Sequence, residues 1–121
     1  NCDPGAEVYT MDTFSPNRYR SDLLNSLGHS VPVVAGQLQS PGPKFRAQVL
    51  AAVFTPGGDT LKLDLKGAYE VPELKTLDRT FTFDRTAPSL TVADRFEFTS
   101  PRDFESALVS YETFTKIDDL H

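Results

Sequence analysis

The sequence predicts an all-β fold, an antiparallel two-sheet β-sandwich with one short helix or irregular loop near residues 15–27. Three observations predict it. Apolar residues recur with a period of two far more often than with a period of 3.6, Pro- and Gly-bearing turns separate the alternating runs, and only two stretches read as helical. With 121 residues the chain has the size of one ordinary domain and one hydrophobic core, so 1–121 is read as a single β-sandwich domain.

Taken in order, the elements rest on local chemistry. "SPNRYRSDLLNS" opens with Ser15 as a helix N-cap and Pro16 at the first helical position, and Gly28 closes it after two or three turns at most. "FRAQVLAAVF" reads as a strand, and "TPGGDT" supplies Pro, two Gly and Asp for a hairpin with room for positive φ. In "TLKLDLK", Leu61, Leu63 and Leu65 alternate with Lys62, Asp64 and Lys66, the pattern of one buried and one wet face. "TLDRTFTFDRT" and "SLTVADRFEF" continue as antiparallel strands around the turn "RTAPS". "PRDFESALVSYETF" fits a helix through Phe104, Leu108 and Tyr111 or a strand through Ala107, Val109 and Tyr111. The β-branched and aromatic residues favour strand for its second half.

Composition excludes several function classes. The longest apolar run, "VLAAVF", is far too short to cross a bilayer, so no membrane-spanning role is expected. A net charge of −5 argues against general attraction to nucleic acid or anionic lipid, and Arg18, Arg20, Lys44 and Arg46 read as solvated loop and strand-edge charges. "NCDPGAEVYTMD" has no basic start and no apolar core, so the chain shows no signal peptide pattern. A single cysteine, Cys2, cannot form an intramolecular disulfide or a cysteine-rich metal site.

No catalytic constellation is complete in these residues. There is no G-x-S-x-G elbow and no Gly-rich phosphate loop, since "TPGGDT" lacks the Lys and Ser/Thr that would follow. Asp118 with Asp119, and Glu105 with Glu112, have no partner that marks an acid and a base, and read as surface charge. What remains is a sparse metal pair, Asp3 and His29. Zinc accepts carboxylate oxygen and imidazole nitrogen, but a catalytic site needs three protein ligands, and His121 is terminal.

The ordered runs "DPG", "VYTMDTF", "NRYR", "NSLGHSVPVVAGQLQ", "LDLKGAYE", "RTFTFDR" and "LTVADRFEF" resemble the β-sheet half of the heparinase II/III-like polysaccharide lyases over nearly the whole chain. The resemblance implies a larger enzyme in which an N-terminal (α/α) toroid precedes the sandwich, with the cleft between them. It carries the family's zinc-binding Asp onto Asp3 and its zinc-binding His onto His29. Ser30 stands where members often carry Asn. A third zinc ligand, from an upstream His-x-His motif, and the catalytic Tyr and His bases have no counterpart here, so no catalytic residue is expected in this chain.

On that reading the parent performs β-elimination on an acidic, uronate-containing polysaccharide reached through the toroid. A base removes the proton next to the carboxylate and an acid helps the glycosidic oxygen leave. Because the chain opens two residues before Asp3, it is expected to be an inactive piece of that enzyme. Zinc is then a cofactor of the parent and is not expected to bind the piece tightly. Periplasmic or secreted localisation follows from the resemblance alone.

Gly28 is expected to let the backbone turn so that a strand from Val31 holds His29 toward Asp3. Tyr9, Tyr19, Tyr69 and Tyr111 are expected to be core or sheet aromatics. Two other readings stand beside the lyase. An accessory carbohydrate-binding sandwich would display a row of exposed aromatics, against which the absence of Trp counts. A structural support layer would instead leave a large apolar patch exposed.

Overall fold

A computed structural model describes residues 7–113 and 115. Among the described residues six strands are formed: β1 (Pro32–Val34), β2 (Gln48–Phe54), β3 (Gly58–Asp64), β4 (Leu74–Asp84), β5 (Ser89–Phe98) and β6 (Phe104–Ser106). The fold is all-β and antiparallel: β2-β3-β4-β5 make a four-stranded meander, and β1-β6 make a two-stranded sheet. By compactness the chain divides into Val33–Phe104, which contains the four-stranded sheet, and a unit made of Asn1–Pro32 with Glu105–His121.

The core of the larger unit is built from Val34, Leu65, Ala68, Tyr69, Val71, Leu74 and Leu77, with Leu63, Phe98 and Phe104 packed against it. Val34 and Phe104 thus form a second layer over one end of the four-stranded sheet. Burying a Leu or Val side chain fully contributes about 1.5–3 kcal/mol, so each of the buried Leu and Val of this cluster is a substantial stabilising term. Phe104 also stacks on Phe96 of β5, with ring centroids 3.9 Å apart.

The turns are chemically specific. Ala35 and Gly36 both have positive φ, and Val34 and Gln37 exchange backbone hydrogen bonds of 3.0 and 2.9 Å across them, closing a primed turn. In the expected "TPGGDT" hairpin, Pro56 and Gly57 form the loop and the Thr55 N–H donates to the Gly58 carbonyl at 2.9 Å. Neither Gly57 nor Gly58 takes positive φ, contrary to expectation. Gly58 serves a different need: a Cβ there would stand 2.5 Å from the Phe83 carbonyl oxygen, so the neighbouring strand leaves no room for a side chain.

The smaller unit holds short 3-10 turns over Asp12–Phe14, Pro16–Arg20 and Ser26–Gly28, in place of the expected two- or three-turn helix. Ser15 caps the second turn by accepting from the Asn17 N–H at 3.1 Å, with Pro16 at its first position as the sequence predicts. The Ser21 backbone then extends, and the Asn25 side chain captures the Leu27 N–H at 2.7 Å, so side-chain caps break the segment before an α-helix can propagate. A second correction concerns 101–114. Its strand is Phe104–Ser106, in the first half, and 107–113 is irregular despite Val109 and Tyr111.

Candidate functional site

Of the two expected zinc ligands, Asp3 lies outside the described residues, as do Cys2, Asp118, Asp119 and His121. His29 is half-buried at the end of the Ser26–Gly28 turn, where its N–H donates to the Ser26 carbonyl at 3.3 Å and its own carbonyl accepts from Val31 at 2.8 Å. Gly28 does not take positive φ, and the strand begins at Pro32. The 3-10 turn and its Asn25 cap set the position of His29, not glycine freedom. The Ser30 hydroxyl accepts from the Val109 N–H at 3.0 Å. Among the described residues no group of three or more His, Cys, Asp or Glu side chains gathers as a metal site, so these residues supply one candidate ligand where a catalytic zinc needs three.

The tyrosines also divide differently from expectation. Tyr69 is a buried core residue, whereas Tyr9, Tyr19 and Tyr111 are exposed. Tyr9 rests against Phe14, ring centroids 5.6 Å apart, in a segment of 3-10 turns that provides no sheet to bury it.

The strongest surface feature is the inner face of the four-stranded sheet. Register places Phe54, Asp59, Phe83 and Leu90 in one cross-strand row, Ala52, Leu61, Phe81 and Val92 in the next, and Val49, Leu63, Arg79 and Asp94 in a third. Leu77 and Phe96 continue it toward the covered end. Val34 and Phe104 cover that end. Beyond it Phe54 is 74% exposed, Val49 66%, Leu90 62%, Phe83 39% and Val92 38%. Together these side chains present roughly 500 Å² of apolar surface, near the upper limit for the largest patch of a typical monomer.

Charges bound this patch on both sides. At the far end Arg85 grips Asp59 through two hydrogen bonds of 2.9 and 2.6 Å, and its guanidinium lies 5.4 Å from the Phe83 ring centroid. The Arg85 guanidinium holds the Asp59 carboxyl below its ordinary range, and the carboxylate in turn raises Arg85. At the covered side Arg79 and Asp94, direct cross-strand partners, form a two-point ion pair with both contacts at 2.7 Å and side chains only 4% and 9% exposed. Burial raises the Tyr69 hydroxyl, opposed by a hydrogen bond with Gln39 and by the Arg79 charge.

No family model matches the chain, and no curated protein matches it. The site therefore rests on its own geometry. Sequence reasoning missed the Arg79–Asp94 pair although its signal was present. Both residues interrupt an inner-face alternation, Leu77-Arg79-Phe81 and Val92-Asp94-Phe96, with opposite charges in adjacent strands. Charges at positions the period assigns to a core are expected only when they pair.

Proposed function

We propose that this chain is a non-catalytic support layer, the sandwich half of a larger polysaccharide lyase of the heparinase II/III-like kind. One observation carries the support role: on the inner sheet face Phe54 and Leu90 are largely exposed and Phe83 and Val92 partly so. A face of that composition gains stability when a neighbouring body excludes water from it. The lyase parentage is supported by the ordered sequence resemblance, with Asp3 and His29 as its zinc-side contribution. On this reading β-elimination on an acidic polysaccharide uses bases outside these 121 residues, in the periplasm or outside the cell. Zinc, bound with the upstream ligands, would tie the sandwich to the rest of the enzyme.

The test compares apolar-dye binding and uronate-polymer titration on the 121-residue chain. The expected result is strong binding of the dye, reduced by Phe54→Ser with Leu90→Ser, and no saturable heat with heparin or alginate. Saturable polysaccharide binding that weakens in Phe54→Ala and Phe83→Ala would overturn the support role in favour of a carbohydrate-binding sandwich. Zinc titration beside His29→Ala addresses the parentage. Binding appears only in a chain extended to include a His-x-His segment, and is lost there in His29→Ala. Zinc binding indifferent to His29 refutes the assignment.

A further inference from the structure

The four-stranded sheet has two edges, and they differ in kind. β5 carries Arg95 and Glu97, the charges by which an edge strand resists pairing with another chain. β2, Gln48–Phe54, has no charge and no proline, and among the described residues no strand flanks its outer side. Its large side chains are exposed on both faces: Val49 and Phe54 as above, Leu50 at 50% and Val53 at 53%. Uncharged, unprotected edges of this kind are templates for a further strand.

We infer that β2 pairs antiparallel with β2 of a second copy of this chain, joining two four-stranded sheets into one of eight strands. Three features select a second copy as the occupant. β2 carries no charged residue, so although the chain's net charge of −5 opposes association in general, two copies meet at β2 without facing like charges. Size is also self-complementary. A twofold axis at Ala52 sets the small Ala52 beside its own copy, pairs Val53 with Ala51, and places Phe54 opposite the Val49–Leu50 segment. That segment contains the register shift of β2 against β3, so it offers the slack a large ring needs.

The third feature is backbone polarity. Thr55 donates to Gly58 at the hairpin, so antiparallel alternation turns the N–H and C=O groups of Ala52 and Phe54 away from β3. Those groups meet their counterparts across the axis in the same register, which is the requirement for a closed, isologous pair. The resulting twofold axis stands perpendicular to the sheet, so both open apolar faces lie on the same side and merge. This inference uses the edge and does not depend on the support role of the face.

Sedimentation equilibrium on the 121-residue chain across a wide concentration range tests it, read beside amide exchange of β2. The expected result is a monomer–dimer equilibrium in which the Ala52 and Phe54 amides gain protection as concentration rises. Val53→Lys introduces two like charges diagonally across the axis, each opposite an Ala51, and weakens the dimer by about tenfold or more in Kd. Ala52→Pro removes the donor at the axis and abolishes dimer formation. Thr91→Lys, on the already charged β5 edge, leaves the equilibrium unchanged. Thermal unfolding of each variant identifies any that fails to fold, and Val53→Lys, at an exposed position, keeps the test open if Ala52→Pro does. A monomer at all concentrations, open-ended assembly past the dimer, or a dimer untouched by Val53→Lys overturns the inference.

Discussion

Replacing the Arg79–Asp94 pair tests how this sheet tolerates two charges on its inner face. The side chains are 4% and 9% exposed and meet at two contacts of 2.7 Å. At an effective dielectric of about 20 and a charge separation of about 4 Å, the attraction is roughly 4 kcal/mol. It is set against a desolvation cost of several kcal/mol for each ion. Removing one partner leaves the other buried and uncompensated, so Arg79→Met and Asp94→Leu should each destabilise by about 3–5 kcal/mol.

The double variant removes both desolvation costs and puts apolar groups beside Leu63, Leu77 and Phe81. It should therefore lie within about 1 kcal/mol of the parent or above it, giving a coupling energy of about 5 kcal/mol or more. Urea denaturation followed by circular dichroism on the four proteins measures the cycle. Each single loss would be a large fraction of a domain stability of about 5–15 kcal/mol. Single variants costing less than about 1 kcal/mol, the range of exposed ion pairs, would refute the claim that the pair is desolvated.

Further outcomes follow from the same geometry. Gly58→Ala, which drives a Cβ into the Phe83 carbonyl at 2.5 Å, should cost about 1–3 kcal/mol, read as a lower melting temperature; Gly57→Ala, with open space around it, should cost less. Burial raises the Tyr69 hydroxyl, so its contribution is fully present below the unfolded tyrosine value near 10 and is lost as pH rises through the higher folded value. A pH-resolved stability curve should therefore fall above about pH 10, and fall less steeply in Tyr69→Phe. Asp84 accepts from the Thr86 N–H and hydroxyl, each at 2.7 Å, and from the Ala87 N–H at 3.2 Å, and these hold its carboxyl low. The stability it contributes is present above the unfolded carboxylate value and is lost as pH falls through the folded one. Asp84→Ala should flatten that acid limb.

How much was legible in the sequence depended on whether a property was local. Alternation in 60–66, 76–84 and 90–98 revealed β3, β4 and β5, because a period of two with turns between is a property of neighbouring residues. The cap at Ser15 and Pro16 was equally local, but the helix it introduced was not formed, because Ser21 and Asn25 captured backbone groups downstream. The strand in 101–114 shifted to Phe104–Ser106, where a phenylalanine can stack on Phe96 from a distant part of the chain. Alternation also implied a buried face without saying what would bury it, and the extent of the second layer is a tertiary fact. The candidate metal pair rested on an ordered resemblance, of which only His29 falls within the described residues.

The Arg79–Asp94 pair lies between the core cluster and the rows that hold Phe54 and Leu90, and this bears on why those rows stay apolar. On the covered side Leu74, Leu77 and Val34 complete a dry cluster that needs no partner. Past the pair, Leu61, Phe81 and Val92 continue the same alternation, yet Val92 is left 38% exposed. A sheet used only as a monomer's outer wall would be more stable in water with Thr or Lys at these positions, as it has on its opposite face with Thr80, Thr82 and Lys62. Phe54, Phe83 and Leu90 therefore fit a surface whose stabilising burial comes from a body beyond this unit. Substituting Thr for all three should improve solubility while lowering the chain's affinity for whatever covers it, and an unchanged dye-binding signal would contradict the open face as its source.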